Sequence, residues 1–442
     1  MTYSTAPDSK AFVISAPAKT ILFGEHAVVY GKAAVATSMD LRTYTLIVPT
    51  LNDTTISIDF TDLGEKVSLN STALPSLSAK DLEHPLKIEE HVFNKVKLPE
   101  GHARAALLAF IYLYSCIVPQ SLRSHGFKIT FKSFIPVGAG LGSSASFSVC
   151  AATALLQYAG LIALGQGPIP SDHLALINKW AFGAEQVIHG NPSGIDNTVC
   201  TYGGFIRFQK ERPLQKIQTK FPLNVILTNT LVPKNTKALV AGVRTLWEKH
   251  RSVIDPIFES IHHIAVAGSE MFISAPDPTL VTDPVSFKTS QRAFEEDVED
   301  LVKLNHDLLA TLRVSHPSLE TVVNTTKEFS FSTKLTGAGG GGCALTLVPH
   351  SAENFKIDAC KAALKEYGFD CYRTTAGGGG VQAIEAPHDK LAAWMSSDHQ
   401  NSSSSFVLLS QDEMKNILSA GLGANGLESS EKYQMPIGAS HL

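Results

Sequence analysis

Paired cysteines are missing from this sequence of 442 residues. Its six cysteines are scattered singly, and none of them forms a Cys-x-x-Cys motif. This spacing disfavours a structural zinc site and a disulfide framework. We therefore expect a reducing compartment and a cytoplasmic protein. Peroxisomal import is the alternative, because the last three residues, Ser440-His441-Leu442, resemble the Ser-Lys-Leu address.

The sequence also lacks a hydrophobic run long enough to cross a membrane. Its longest apolar stretch, residues 105–118, is interrupted by Ser115 and predicts a buried helix. An excess of basic residues is absent too, since 37 Lys and Arg face 41 Asp and Glu. We therefore expect neither a membrane span nor nucleic acid as a partner. The first residues show no signal-peptide pattern.

Helical and strand-like segments alternate along the chain, which predicts an α/β (α+β) fold. Residues 50–100 are polar and punctuated by proline, so we expect a loop-rich insertion there. Helices are predicted over residues 103–118, 143–159, 171–189 and 352–367, with a further buried helix face at 294–312. Strands are predicted over residues 11–15, 44–48, 127–131, 224–228, 343–348, 371–375 and 381–386.

Glycine is common only in three places, residues 138–142, 337–342 and 377–380, which together hold twelve of the 32 glycines. The first cluster lies in residues 136–145, Pro-Val-Gly-Ala-Gly-Leu-Gly-Ser-Ser-Ala, and leads directly into a predicted helix. The free N–H groups and positive dipole end of such a helix bind phosphate. The hydroxyls of Ser143 and Ser144 would add ligands for phosphate or Mg²⁺. We therefore predict a phosphate-binding loop.

Three better-known nucleotide motifs do not explain these glycines. A GxxxxGK[ST] sequence is absent from the whole chain. No acidic residue lies about 20 residues after the first loop, and the GxGxxG at 337–342 precedes a strand, so a dinucleotide fold is excluded. The HRD and DFG triplets of protein kinases are missing as well.

Two carboxylates, Glu185 and Asp196, flank a sharp turn at residues 190–194. In phosphoryl transfer, one such group holds Mg²⁺ and the other accepts or orients the hydroxyl proton. Lys19 follows a predicted strand and Pro17, and Gly24-Glu25-His26 comes soon after. An ammonium placed beside Asp196 would lower the pKa of an attacking hydroxyl.

These segments, in this order, resemble the GHMP small-molecule kinases, which include galacto-, homoserine, mevalonate and phosphomevalonate kinases. The family pattern is P-x-K-…-G-E-H, then P-x-G-A-G-L-G-S-S-A, then K-x-T-G-A-G-G-G-G, and the similarity spans residues 11–386. Residues 180–197 and 334–343 are most similar to the members that act on mevalonate. Two departures are Ala18, where the family has glycine, and Lys234-Asn235, where it has Arg-Ser/Thr.

The resemblance implies roles for individual residues. Lys19 and Asp196 would form the catalytic pair, and Ser144 and Glu185 would hold Mg²⁺. The phosphates of ATP would contact Pro136, Gly138, Ala139, Gly140, Leu141, Gly142, Ser143 and Ser144. The side of the acceptor would be lined by Glu25, His26, Thr236, Gly337 and Ala338.

The resemblance further implies ATP-dependent phosphorylation of the primary hydroxyl of mevalonate, in a cleft between two domains. It places a ribosomal-protein-S5-like, ATP-binding domain at residues 1–225 and a ferredoxin-like domain at 226–386. A weakly ordered Ser-rich tail with a short helix at 412–418 would follow, over residues 387–442. A homodimer and feedback inhibition by isoprenoid diphosphates are implied as well.

Two alternatives stay open. Another GHMP kinase, acting on phosphomevalonate or galactose, would share the loops but not the acceptor. The chain lacks the sugar-type start G-x-x-N-L-I-G-E-H of galactokinases. A ligand sensor without catalysis would be expected to lose residues of the Gly-Ser loop or the catalytic pair, and here all of them are present.

Overall fold

The computed structural model describes residues 9–50, 53–75, 99–165, 167–217, 219–395 and 405–422. These residues form one twelve-stranded sheet that is covered by helices, which confirms the predicted α/β class. The strands are β1 Phe12–Phe23, β2 Ala34–Thr50, β3 Thr55–Phe60, β4 Glu65–Asn70, β5 Gly126–Ser133, β6 Phe205–Phe208, β7 Gln215–Ile217, β8 Leu223–Asn229, β9 Ser332–Leu335, β10 Cys343–Leu347, β11 Asp370–Ala376 and β12 Gln382–Glu385.

The helices lie on both halves of this sheet. They are α1 Gly101–Ile117, α2 Ser143–Tyr158, α3 Ser171–His189, α4 Ile195–Tyr202, α5 Thr236–Lys249, α6 Arg251–Ile273, α7 Pro284–Thr311, α8 Pro317–Glu328, α9 Asn354–Glu366, α10 His388–Met395, α11 Ser405–Leu408 and α12 Gln411–Leu422. Each predicted helix and strand has a counterpart, but β1 continues past residue 15 to Phe23, β2 begins at Ala34 and not at residue 44, and α7 begins at Pro284 and not at residue 294. No helix of the described ranges is both long and apolar enough to cross a bilayer.

The long strand β2 joins the two halves of the sheet. It pairs with β1, β5 and β6 on the N-terminal side, and at Met39 it pairs with Ala376 of β11. The apolar faces of α1, α2 and α3 pack on the N-terminal half around Phe110, Phe127 and Phe131. Packing on the sheet removes these apolar faces from water, so their burial stabilises this half.

Strands β8 to β11 form an antiparallel unit in the spatial order fourth, first, third, second. Helices α5 to α8 connect its first two strands, and α9 connects its last two. This is the βαββαβ layout of a ferredoxin-like domain, the fold expected for the second domain. Its core lies around Phe258, Val322 and Leu345.

Two local predictions are wrong. Lys19 does not follow a strand, because β1 continues through Pro17 and Lys19 to Phe23. The pairing of β1 with β2 shifts between Pro17 and Ala18, and such an irregularity accommodates a residue without an N–H. Residues 50–100 are not wholly loop, because β3 and β4 form a hairpin at the sheet edge, although residues 76–98 lie outside the described part.

The chain after residue 404 differs from the expected weakly ordered tail where it is described. Helix α12 contains the predicted segment 412–418 and buries Met414 and Leu418 against Tyr44 of β2. Lys132 Nζ of β5 donates to the carbonyl of Leu409 over 2.7 Å. The apolar periodicity of one short helix was too weak a signal to show this packing. Residues 396–404 and 423–442, including Ser440-His441-Leu442, lie outside the described residues.

Removing a buried side chain of α12 should destabilise the whole protein if this helix belongs to the cooperative core. We expect Met414→Ala to lower the free energy of unfolding by about 2–4 kcal/mol, because it leaves a cavity. The exposed neighbour Asn416 is the control, and Asn416→Ala should change the free energy by less than about 0.5 kcal/mol. Urea unfolding measures both, and equal midpoints would contradict the packing of α12.

Candidate active site

The sequence motifs meet at one cavity of about 730 Å³ between the two halves of the sheet. Most of the predicted site residues line it. They are Lys19, Glu25, His26, Gly138, Gly140, Leu141, Gly142, Ser143, Ser144, Glu185, Asp196, Thr236, Gly337 and Ala338. Pro136 and Ala139 do not line the cavity, although both belong to the loop that does.

The first glycine loop takes a backbone path that requires glycine. Gly138, Gly140 and Gly142 have φ of 75°, 81° and 71°, and Gly142 directly precedes α2. A Cβ at Gly142 would lie 2.9 Å from Cγ of Lys19, so a side chain there would displace the lysine. Among the described residues, no side chain caps the start of α2, so its first N–H groups can bind an anion.

Lys19 is held by its backbone and reaches Asp196 with its side chain. Its N–H donates to the carbonyl of Leu141 over 2.9 Å, so β1 is joined directly to the glycine loop. Its Nζ lies 3.0 Å from Oδ1 of Asp196. The lysine is nearly buried, whereas 36% of the Asp196 side chain is exposed towards the cavity. Asp196 lies in the first turn of α4, where the helix dipole favours a negative charge.

Glu185 lies near the end of α3 and is almost completely buried. Its two oxygens accept hydrogen bonds from Ser144 Oγ at 3.2 Å and Ser148 Oγ at 3.1 Å. Burial, with a further contribution from the charge of Asp196, raises the pKa of Glu185 to about 7. Glu185 and Asp196 thus share a region in which Lys19 is the nearest compensating charge.

His189 also belongs to this group, although the sequence did not single it out as a site residue. Its Nε2 lies 3.0 Å from Ser144 Oγ and 3.8 Å from Glu185 Oε2. Burial lowers the pKa of His189, which favours the neutral ring. The spacing of four residues from Glu185 on one helix was the signal that could have revealed it.

Lys234 is a second residue that the sequence did not assign to the site. Its Nζ donates to the carbonyl of Ala139 over 3.1 Å. An added Cβ would lie 2.5 Å from this Nζ at Gly140 and 2.8 Å at Gly342, so the lysine lies between both glycine loops. Burial lowers the pKa of Lys234, and the nearby charge of Lys19 lowers it further. Two ammonium groups beside free helix N–H groups favour a polyanionic ligand.

The opposite wall contains His26 and Ala338. The ring of His26 bonds through Nε2 to the carbonyl of Ala338 over 2.9 Å, so this nitrogen carries the hydrogen. Burial lowers the pKa of His26 and favours its neutral form. His26 has a φ of 60°, a conformation that costs a non-glycine residue about 1–3 kcal/mol. The surrounding contacts must therefore hold it there.

Thr236 and the second glycine loop complete the wall. Thr236 is the first residue of α5, and Asn235 caps this helix through a bond from the N–H of Ala238. Gly337 and Ala338 face the cavity, but Gly339 packs against Val314, where a Cβ would lie 2.0 Å from the carbonyl oxygen. Much of this loop therefore serves packing.

The third glycine run, residues 377–380, does not line the cavity. It crosses the turn at Gly203 so closely that a Cβ there would lie 2.2 Å from the N of Gly380. The buried Arg42 donates to the carbonyls of Gly379 and Gly380 over 3.2 and 2.6 Å. This contact fixes the end of α4, the helix that carries Asp196.

Comparison with known proteins agrees with this geometry. Residues 104–204 match the model of the GHMP kinases N terminal domain, and residues 290–366 match GHMP kinases C terminal. The chain is 38% identical to the mevalonate kinase of Homo sapiens, over 80% of this chain and 90% of that protein. It is 37% identical to the mevalonate kinase of Arabidopsis thaliana, over 76% of this chain and 90% of the relative.

Among solved structures, the mevalonate kinase of Methanococcus jannaschii superimposes with a TM-score of 0.60 at 27% identity. The superposition covers 83% of this chain and 99% of that one. Both halves of the sheet therefore correspond to a fold already seen in this group. With relatives above one third identity over nearly their whole length, the chain belongs to the mevalonate kinase family of the GHMP kinases.

Proposed function

We propose that this protein transfers the γ-phosphoryl group of ATP to the primary hydroxyl of (R)-mevalonate, forming 5-phosphomevalonate and ADP for isoprenoid biosynthesis. The observation that carries this proposal is the Lys19–Asp196 pair, 3.0 Å apart, beside the free N-terminus of α2. The names of the curated relatives identify the acceptor. ATP is the donor because the family consists of kinases.

The glycine loop and α2 hold the donor in this proposal. The residues 138–144 wrap the phosphates, and Lys19 and Lys234 balance their charge. Asp196 orients the acceptor hydroxyl in line with the γ-phosphorus and takes up its proton. Since an ionised aspartate is a weak base, its main effect is to position the hydroxyl and stabilise charge.

We further propose that Ser144 and Glu185 hold Mg²⁺. One hydroxyl and one buried carboxylate supply the hard oxygen ligands that this ion prefers, and the neighbouring Asp196 adds negative charge. The described residues contain no cluster of three or more His, Cys, Asp or Glu that would enclose a metal. Mg²⁺ is usually held by one or two carboxylates together with substrate phosphates, so this site suits Mg·ATP. The ion would neutralise developing phosphate charge.

On the acceptor side, we propose that His26, Thr236, Gly337 and Ala338 contact mevalonate, with Glu25 supporting them from behind. All of these residues line the cavity on the side of α5 and the second glycine loop. The proposed boundaries are residues 1–225 for the ATP-binding domain, 226–386 for the second domain and 387–442 for the tail. A homodimer, inhibition by isoprenoid diphosphates and the choice between cytoplasm and peroxisome stay predictions.

The decisive experiment measures ADP release with Mg·ATP against mevalonate, phosphomevalonate, homoserine and galactose. We expect turnover with mevalonate alone. Turnover with another acceptor would support the proposed phosphate site and contradict mevalonate as the acceptor. ATP binding without any turnover would favour a ligand sensor.

The catalytic pair should affect the rate far more than nucleotide binding. We expect Lys19→Met or Asp196→Asn to lower kcat by about a thousandfold, because each removes charge stabilisation or positioning in the transition state. ATP affinity should change by less than about tenfold, since the loop and helix N-terminus remain. Steady-state kinetics and calorimetry separate the two. The control is Lys32→Met, since Lys32 pairs with Glu259 and does not line the cavity. An unchanged kcat in either site variant would refute the assignment.

The raised pKa of Glu185 predicts a pH-dependent stability of the metal-free protein. The folded protein binds this proton more tightly than the unfolded chain, so stability falls as the pH rises from about 4.5 to 7. Glu185→Gln should therefore stabilise the protein at pH 8 by up to about 3 kcal/mol and have little effect at pH 4. Urea unfolding at both pH values measures this. An equal effect at both would show that Glu185 is not a destabilising buried charge.

A further inference from the structure

A buried ion pair lies at the acceptor wall, where Glu25 lines the cavity and its partner Lys334 does not. Lys334 Nζ contacts Glu25 Oε1, and 0% and 1% of the two side chains are exposed. The second carboxylate oxygen, Oε2, accepts a bond from the amide of Asn305 over 3.3 Å. Both oxygens of Glu25 are therefore engaged by protein groups from two other segments of the chain.

The pair joins segments that lie far apart in the sequence. Glu25 lies in the turn after β1, Lys334 in β9 and Asn305 in α7. Lys334 Nζ also donates to the carbonyl of Leu335 over 2.7 Å, and Asn305 Oδ1 accepts from the N–H of Gly24 at 3.4 Å. This charge contact is therefore one of the links between the two halves of the protein. Removing either partner would leave an unpaired charge in the interior.

Glu25 itself lines the cavity, and Lys334 is only a few residues from the cavity wall. Glu25 precedes His26, and Lys334 leads through Thr336 into Gly337 and Ala338. Thr336 Oγ1 donates to the carbonyl of Ile21 over 2.9 Å, so the same two segments are tied again nearer the cavity. The His26–Ala338 bond closes the wall.

We infer that Lys334, Glu25 and Asn305 are positioning residues that hold His26 against Ala338 and so set the geometry of the acceptor side. Glu25 acts through this network and does not bind the acceptor itself, because its carboxylate oxygens are already engaged. Lys334 supplies the charge that allows Glu25 to be buried. This inference deepens the proposed function and rests on it.

The test compares the kinetics of single and double variants. Lys334→Met should lower kcat/KM for mevalonate by about a hundredfold, since a displaced wall misplaces the acceptor. The KM for ATP should change by less than about threefold, because the nucleotide lies against other residues. The double variant Glu25→Gln with Lys334→Met removes both charges and should recover at least about tenfold of that loss.

Asn305→Ala keeps the ion pair and is expected to fold even if Lys334→Met does not. We expect a rise of about fivefold in the KM for mevalonate, the effect of one buried hydrogen bond. The control is Arg292→Met, which removes ion pairs with Glu296 and Glu299 on the same helix α7, away from the cavity. It should leave both KM values unchanged.

Several results would overturn the inference. If the double variant is as impaired as Glu25→Gln alone while Lys334→Met is mild, Glu25 binds the acceptor directly. If the KM values for ATP and mevalonate rise together, the pair only stabilises the fold. If the wild-type protein phosphorylates a different acceptor, only the proposed function is contradicted. The variants are then assayed with that acceptor, and the inference is tested there. No turnover at all rejects both.

Discussion

The active site depends on how Lys19 is held. Its N–H is bonded to Leu141 of the glycine loop, its methylene groups lie against Gly142, and its Nζ reaches Asp196. One residue of β1 therefore links the sheet, the first glycine loop and α4. The side chain is nearly buried, so it has little freedom to leave this position. An ammonium that is already oriented costs little reorganisation when phosphate charge develops beside it.

The cavity concentrates charges that the folded protein alone does not fully compensate. Glu185 is buried and its pKa is raised, and Lys234 is partly buried and its pKa is lowered, so the charged form of each is destabilised relative to water. A phosphate ligand with its metal would supply the missing opposite charges. The free protein thus gives up some stability at the site, as functional sites commonly do. The surrounding sheet and helices compensate through extensive apolar burial.

Both halves of the protein share one sheet, and this arrangement places the cavity. Strand β2 pairs with N-terminal strands along most of its length and with β11 at a single position. Strand β1 also pairs with β12 over four residues, so strand pairing joins the halves at two places, and side-chain contacts near the cavity add to this connection. Glu25 with Lys334, Lys234 with Ala139 and His26 with Ala338 all cross this boundary near the cavity. The contacts that join the halves also shape the site.

From the amino-acid sequence alone, the α/β class, about half of the helices, most strands and the course of the first glycine loop could be predicted. These features depend on local periodicity and on glycines that must adopt positive φ, which a linear pattern contains. Only the tertiary structure showed that Lys19 lies inside a strand, that β3 and β4 form a hairpin and that α12 packs on β2. It alone brought His189 to Ser144, Lys234 between the glycine loops and Glu25 onto Lys334. Such contacts join residues up to 309 positions apart, and no local pattern encodes that distance.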